Sequence, residues 1–224
     1  MSPLYDTSVE AELLTGMRLA RSAIGTGQLV VIPTDTVYGI AADAFSPAAV
    51  QKLLDAKGRG RQSPPPVLIP GVPTLDALAE TVPDEVRDLV AAFWPGGLTV
   101  IVRARTSLAW DLGETAGTVA LRMPSNRVAL ELLSETGPLA VSSANLTGKP
   151  AALTATEAET MLGDSVSVYL DDGPAGEAYE NAVGGSTIVD ATALGLPEGK
   201  LRIVRHGVIS DQAIHDVVGA DKCA

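Results

Sequence analysis

The run Leu29-Val30-Val31-Ile32 is apolar without interruption and ends in Pro33-Thr34-Asp35-Thr36-Val37-Tyr38-Gly39. An apolar run bounded by Pro and Gly reads as a buried strand feeding a loop. That loop carries hydroxyls, a carboxylate, a phenol and a glycine at the end of a core strand, where a rigid scaffold commonly presents binding groups. Pro, Asp, Thr and Gly are equally the residues of a plain turn. What decides between the two is the company the segment keeps downstream.

The remaining pattern describes one mixed domain. From about Ser8 to Ile24, the residues Val9, Leu13, Met17, Ala20 and Ile24 recur at helical spacing. Thr7 with Glu10 offers a capping box, and Gly25 and Gly27 a stop. Ser46-Pro47 starts a second helix through Leu54, with Pro suited to the first turn. Further helices are predicted over 73–80, 84–93, 126–136 and 210–218. Strands are predicted over 28–32, 67–69, 98–102, 118–122, 138–142, 166–170, 186–190 and 201–205. The two kinds intermingle without a strict βαβ rhythm, so the expected class is α/β (α+β mixed), built on one twisted mixed sheet whose strand order stays open. At 224 residues the chain suffices for one well-formed core, or at most two small domains. The domain is expected over 8–218, followed by a C-terminal tail, 219–224.

Composition removes several classes of function. No window approaches the roughly 18 apolar residues of a membrane span. The N-terminus carries Asp6, Glu10 and Glu12 where a signal peptide would be basic and then apolar. Cys223 is the one cysteine, so no internal disulfide forms. These features lead to an expected cytoplasmic location. Two histidines, His206 and His215, with one cysteine oppose a zinc site, and no protein-held metal is expected. A net charge of −11 opposes direct RNA binding through a basic face. Local clusters (Lys57, Arg59 and Arg61; Arg202, Arg205 and His206) suit a small polyanion such as a nucleotide. The chain has no Walker phosphate loop, no G-x-G-x-x-G between a strand and a helix, and no G-x-S-x-G elbow.

Several short segments could carry chemistry. Lys57-Gly58-Arg59-Gly60-Arg61 closes the second helix. It reads either as a glycine-stopped, cation-bearing helix end or as a phosphate clamp, Lys as point charge and Arg as planar fork. Arg122-Met123-Pro124 follows a strand and offers either a carboxylate or phosphate receptor or a surface ion pair. Ser142-Ser143-Ala144-Asn145 follows another strand and could cradle a nucleotide, cap a helix or make a turn. Gly184-Gly185-Ser186-Thr187-Ile188-Val189-Asp190 joins a flexible approach to a strand bearing hydroxyls. Trp94-Pro95-Gly96-Gly97 reads as structural, an aromatic anchor and a bend. Tyr5, Tyr169 and Tyr179 have no motif context and read as packing or surface residues.

Taken in order, PTDTVYGI (33–40), KGR (57–59), WPGGLTVIV (94–102), RMP (122–124), SSAN (142–145), GGSTIVD (184–190) and RHG (205–207) resemble the YrdC/TsaC family of threonylcarbamoyl-AMP synthases. The likeness runs from about residue 10 to 218. It implies an open twisted α/β fold with a deep, positively lined substrate cavity. The implied reaction is nucleotidyl transfer, in which L-threonine, bicarbonate and ATP, with Mg²⁺, give L-threonylcarbamoyladenylate and pyrophosphate. Other proteins, the downstream transferases, then modify an adenosine in tRNA. By motif position Thr34, Tyr38, Arg122 and Ser186 would contact threonine. Lys57, Arg59, Ser143, Asn145 and Arg205 would contact ATP, with Lys57 and Arg59 carrying the catalysis. Asp35 and Gly39 are expected only to shape their loop. The alternative is a paralogue that binds RNA or a nucleotide without catalysis. Two departures stand out: Pro65-Pro66-Val67-Leu68 replaces the His-Pro-Leu of relatives, and Arg205-His206-Gly207 replaces their Arg-Pro-Gly.

Overall fold

The computed structural model describes residues 2–179 and 185–224. Among them ten strands form one mixed sheet. In chain order these are β1 (Leu4–Asp6), β2 (Val30–Ile32), β3 (Gly39–Asp43), β4 (Val67–Leu68), β5 (Leu98–Arg103), β6 (Thr118–Arg122), β7 (Leu139–Ser143), β8 (Val168–Asp171), β9 (Thr187–Asp190) and β10 (Arg202–Arg205). The helices are α1 (Glu10–Gly25), α2 (Pro47–Lys57), α3 (Val72–Leu78), α4 (Asp84–Phe93), α5 (Arg127–Thr136), α6 (Ala155–Leu162) and α7 (Asp211–Val218). Across the sheet the strands run β1-β8-β2-β3-β7-β4-β6-β5-β9-β10. Parallel pairs such as β2 with β8 and β5 with β9 sit beside antiparallel ones such as β2 with β3 and β3 with β7.

Helices cover both faces of the sheet, which explains why β2 has no polar side. Val30, Ile32 and Ala41 pack against Met17 of α1 and Leu132 of α5. Val31, Ile40 and Ala42 point the other way, onto Leu53 of α2 and Ala158 of α6. A strand buried on both faces reads as continuous apolar sequence instead of alternating. The second half of the sheet forms its own cluster, with Val100, Leu121 and Val189 against Val86 and Leu89 of α4 and Ile214 of α7.

The local signals are mostly those expected. Ser46 accepts a hydrogen bond from Ala49 N–H at 3.3 Å and Pro47 opens α2. Gly58 ends it in the left-handed conformation, φ 61°, which glycine adopts without a Cβ penalty. The Thr7–Glu10 capping box does not form. Helix α1 starts at Glu10 with Val9 as its uncapped flank, while Thr7 Oγ1 donates to Asp171 O at 2.9 Å and Asp172 Oδ1 at 2.6 Å. Parallel pairing of β1 with β8 draws Thr7 onto that turn.

Strands β1 and β3 and helix α6 were not foreseen. β3 is built largely from Gly and Ala, weak strand formers, and is held by pairing on both sides. α6 does carry a signal: Thr154 accepts from Glu157 N–H at 3.2 Å, and Glu157 accepts in return from Leu153 N–H at 2.8 Å. The chain ends extend the packed body beyond the expected limits. Cys223 is buried and bridges Leu201. Among the described residues no helix is long and apolar enough to cross a membrane.

Candidate active site

One cavity of about 400 Å³ opens where the strand ends of both sheet halves meet. Its polar wall is drawn from segments far apart in sequence: Thr34 and Thr36 after β2, Arg59 after α2, Arg122 ending β6, Ser142 and Ser143 ending β7, Ser186 before β9 and Arg205 ending β10. Leu68, Ile101, Leu112, Val119 and Ile188 supply an apolar floor, and Pro64, Pro65 and Pro66 a stiff flank.

Arg122 is buried and its guanidinium is oriented from several sides. Nε donates to Gly96 O at 2.9 Å, Nη1 donates to Thr36 Oγ1 at 3.0 Å, and Nη2 lies 2.8 Å from Asp35 Oδ1. That last contact is off the line of the N–H bonds, so the Nη2 hydrogens have no aligned acceptor. Asp35 also accepts from Ser125 N–H at 3.0 Å and from Tyr179 Oη at 3.1 Å. The surface ion pair considered for Arg122 is therefore a buried one, and Asp35 does more than shape its loop.

Arg205 faces the same space. Nε donates to Ser186 O and Nη2 to Ser186 Oγ, both at 2.8 Å, and Ser186 Oγ lies 2.7 Å from Thr99 Oγ1. A register shift between Ile203 and Arg205 in the β9–β10 pairing redirects the arginine. Two bonds to Ser186 hold the arginine that precedes His206. Partial burial first, and the charges of Arg122 and Arg59 second, pull the Arg205 guanidinium below its usual value. Arg59 Nη1 donates to Ser142 Oγ at 3.2 Å. Three guanidiniums thus share one cavity in a chain of net charge −11.

Some expected residues sit elsewhere. Lys57 and Asn145 are not on the cavity wall. The Lys57 ammonium is buried behind it, donating to Ser143 O, to Asn145 O at 2.7 Å and to Asn145 Oδ1 at 3.3 Å. Asn145 Nδ2 donates to Leu146 O and Lys149 O at 3.0 and 2.7 Å. Both groups hydrogen-bond to the Ser-Ser-Ala-Asn turn, behind the cavity wall. Burial first, then the Arg59 charge, lowers the Lys57 ammonium to about 8. Thr34 and Tyr38 do line the cavity, but their hydroxyls are occupied. Thr34 Oγ1 accepts from Thr36 and Val37 N–H, each at 3.2 Å, and donates to Val37 O at 2.5 Å. Tyr38 Oη donates to Gly173 O at 2.6 Å, with Asp171 Oδ1 at 3.1 Å, and accepts from Asp172 N–H. Burial raises its phenol well above the usual range. Both hydroxyls hold loops in place at the cavity edge. Gly184 of the GGSTIVD motif lies outside the described residues.

Thr36, Thr99, Ser142 and Tyr179 belong to the polar network but were not singled out from sequence. Three of them lie inside quoted motifs, where their neighbours drew the attention. Tyr179 had no such signal, because only the fold brings it to Asp35. Among the described residues no group of three His, Cys, Asp or Glu side chains is placed to hold a metal.

Fold and site define the class first: an open-sheet α/β protein with an arginine-lined cavity suited to small anions. Comparison with known proteins narrows it. The Sua5/YciO/YrdC family model, described as "Telomere recombination", matches residues 22–207. A Mycobacterium tuberculosis (strain ATCC 25618 / H37Rv) protein named "Putative threonylcarbamoyl-AMP synthase" is 48% identical over 99% of this chain and 97% of its own length. The Bacillus subtilis (strain 168) threonylcarbamoyl-AMP synthase is 35% identical over 89% of this chain, which spans 56% of that protein. The crystal structure of P. abyssi Sua5 complexed with L-threonine superposes with TM-score 0.86 at 29% identity, covering 100% of this chain and 62% of that one. The chain belongs to the Sua5/YciO/YrdC family, and by its synthase relatives it is an enzyme.

Proposed function

We propose that the chain is an L-threonylcarbamoyladenylate synthase, a nucleotidyltransferase that condenses L-threonine, bicarbonate and ATP and releases pyrophosphate. The observation that carries this reading is the meeting of Arg59, Arg122 and Arg205 in one cavity. It is supported by a relative of nearly full coverage bearing a synthase name and by the threonine complex of P. abyssi Sua5.

Threonine and bicarbonate first form the N-carboxylate with loss of water. A carbamate oxygen of that species attacks the α-phosphorus of ATP, the α–β phosphoanhydride bond breaks, and pyrophosphate leaves with the electron pair. Such a transfer needs positioning and charge stabilisation more than a protein nucleophile. Arg122, which lines the cavity with its guanidinium oriented by Gly96, Thr36 and Asp35, takes the threonine carboxylate in this reading. Ser186 stands beside it, held by Arg205 and Thr99. Arg59 and Arg205, with Ser142 and Ser143, face the nucleotide. Lys57 and Asn145 act at one remove, by fixing the turn that presents Ser143. ATP is taken as its Mg²⁺ complex, in which the metal would offset charge on the leaving pyrophosphate. A cavity that limits water access protects the carbamate and the mixed anhydride, both of which hydrolyse readily. The product then passes to the proteins that modify adenosine in tRNA, a role that belongs in the cytoplasm.

The deciding measurement is pyrophosphate release by the purified protein with threonine and bicarbonate omitted in turn. Release is expected only with both present. Release that ignores either one, or nucleotide binding without turnover, refutes the synthase and leaves a nucleotide-binding paralogue.

A further inference from the structure

Tyr179 lies outside every motif and is absent from the cavity wall, yet the polar network ends on it. Its hydroxyl donates to Asp35 Oδ2, while Asp35 Oδ1 takes Ser125 N–H and the Arg122 guanidinium. The turn between α4 and β5 packs against it. A Cβ at Gly97 would stand 2.2 Å from Val208 Cγ2 and 3.0 Å from Tyr179 Oη, and one at Gly96 would stand 2.7 Å from Phe93 O and 3.3 Å from Tyr179 Oη. The carbonyl of that same Gly96 accepts from Arg122 Nε. Burial and the adjacent Asp35 push the Tyr179 phenol up to about 12, so it stays a donor across the working range of pH. We propose that Tyr179 is a positioning residue for the threonine carboxylate, acting through Asp35 on Arg122. The proposal rests on the synthase reading given above.

The physical reason lies in a competition. A carboxylate arriving at Arg122 brings a second anion beside Asp35, and both call on one guanidinium. Asp35 already has its Oδ1 on Arg122, so what matters is where Oδ2 points. The Tyr179 hydroxyl gives Oδ2 a donor away from the arginine. Without that donor a buried carboxylate oxygen is left unsatisfied, and Asp35 is free to turn. Its Oδ1 then no longer holds the Arg122 guanidinium in the orientation that the substrate carboxylate meets.

The test is steady-state kinetics of adenylate formation for wild type, Tyr179→Phe, Asp35→Asn and the double variant, with threonine and ATP varied separately. Tyr179→Phe is expected to raise the threonine KM about tenfold, the worth of one hydrogen bond to a charged group, with kcat and the ATP KM within about twofold. On the Asp35→Asn background the same change is expected to have no further effect on the threonine KM. An unaltered threonine KM, an equal rise for both substrates, or a full additional effect in the double variant overturns the proposal. These outcomes leave the synthase reading intact. Wild-type turnover that does not depend on threonine removes both.

Discussion

The Lys57 ammonium donates to two oxygens of Asn145, the carbonyl at 2.7 Å and the side-chain Oδ1 at 3.3 Å, and so ties the end of α2 to the turn after β7. A lysine read from sequence as a phosphate clamp thus also braces that turn. Lys57→Ala leaves three buried acceptor contacts unmade, at a cost of about 1–3 kcal/mol. It is expected to lower the melting temperature by several degrees, on the order of 2–4 °C per kcal/mol for a chain of this size. Adenylate formation should fall with it. An unchanged melting temperature with lost activity would return Lys57 to direct contact with ATP.

Arg59→Ala should behave oppositely. Arg59 reaches the cavity with one protein partner, Ser142 Oγ at 3.2 Å, so little native structure depends on it. The expected result is an unchanged melting temperature within about 1 °C, as for a residue outside the core. Turnover should drop by about 100-fold or more, the usual effect of losing a preorganised charge at a transferring phosphoryl group. Near-normal turnover would remove Arg59 from the nucleotide site.

The lowered Lys57 ammonium also gives a pH prediction. Its folded value is about 8 against 10.5 for the free side chain. Between those two values the unfolded chain binds the additional proton, so this group alone makes stability rise with pH across that window. Activity should move the other way. Above about pH 8 the brace loses charge and the Ser143 turn loosens, giving an alkaline limb in kcat that is not accompanied by lost stability. Lys57→Arg, which stays charged throughout, should abolish the limb if it folds around the larger head group. A limb that persists in that variant belongs to another group.

Much of the fold was legible because its signals are local. The helices over 84–93, 126–136 and 210–218 lie within a residue or two of α4, α5 and α7. The strands missed were those whose stability is not local. Gly39-Ile40-Ala41-Ala42-Asp43 has weak strand propensity and becomes β3 because β2 and β7 pair with it on both sides. The site divides along the same line. Arg59, Arg122, Ser186 and Arg205 could be picked out because each ends, follows or immediately precedes a strand or helix readable in sequence. The direction in which Thr34, Tyr38, Lys57 and Asn145 spend their polar atoms could not be. That depends on partners such as Gly173 and Ser143, up to 135 residues away. Tyr179 shows the limit most plainly, since its partner Asp35 is 144 residues distant and reaches it only through the folded sheet.

Gly39 illustrates how tightly the strand end is packed. A Cβ there would lie 2.5 Å from Val141 Cγ1, closer than any real contact. Gly39→Ala is therefore expected to destabilise the fold by about 1–3 kcal/mol through overpacking. Val141→Ala removes the colliding methyls, so the double variant should be more stable than the sum of the two single changes predicts. Strict additivity in thermal unfolding would show that the strain is relieved by backbone movement and not by that side chain.

Tyr38→Phe separates a scaffold role from a substrate contact. The Tyr38 hydroxyl meets Gly173 O, Asp171 Oδ1 and Asp172 N–H, at the end of β8 and on the turn that follows it, and none of these is a cavity group. Removing it leaves the Asp172 N–H and the Gly173 carbonyl short of a partner, at a cost of about 1–3 kcal/mol. The phenyl ring keeps its place in the cluster around Ile40 and Leu54, so the cavity wall stays formed. The expected variant melts several degrees lower, yet its threonine KM measured well below that temperature matches wild type. A threonine KM raised about tenfold with unaltered melting would instead mark a hydroxyl that leaves the turn to bind substrate.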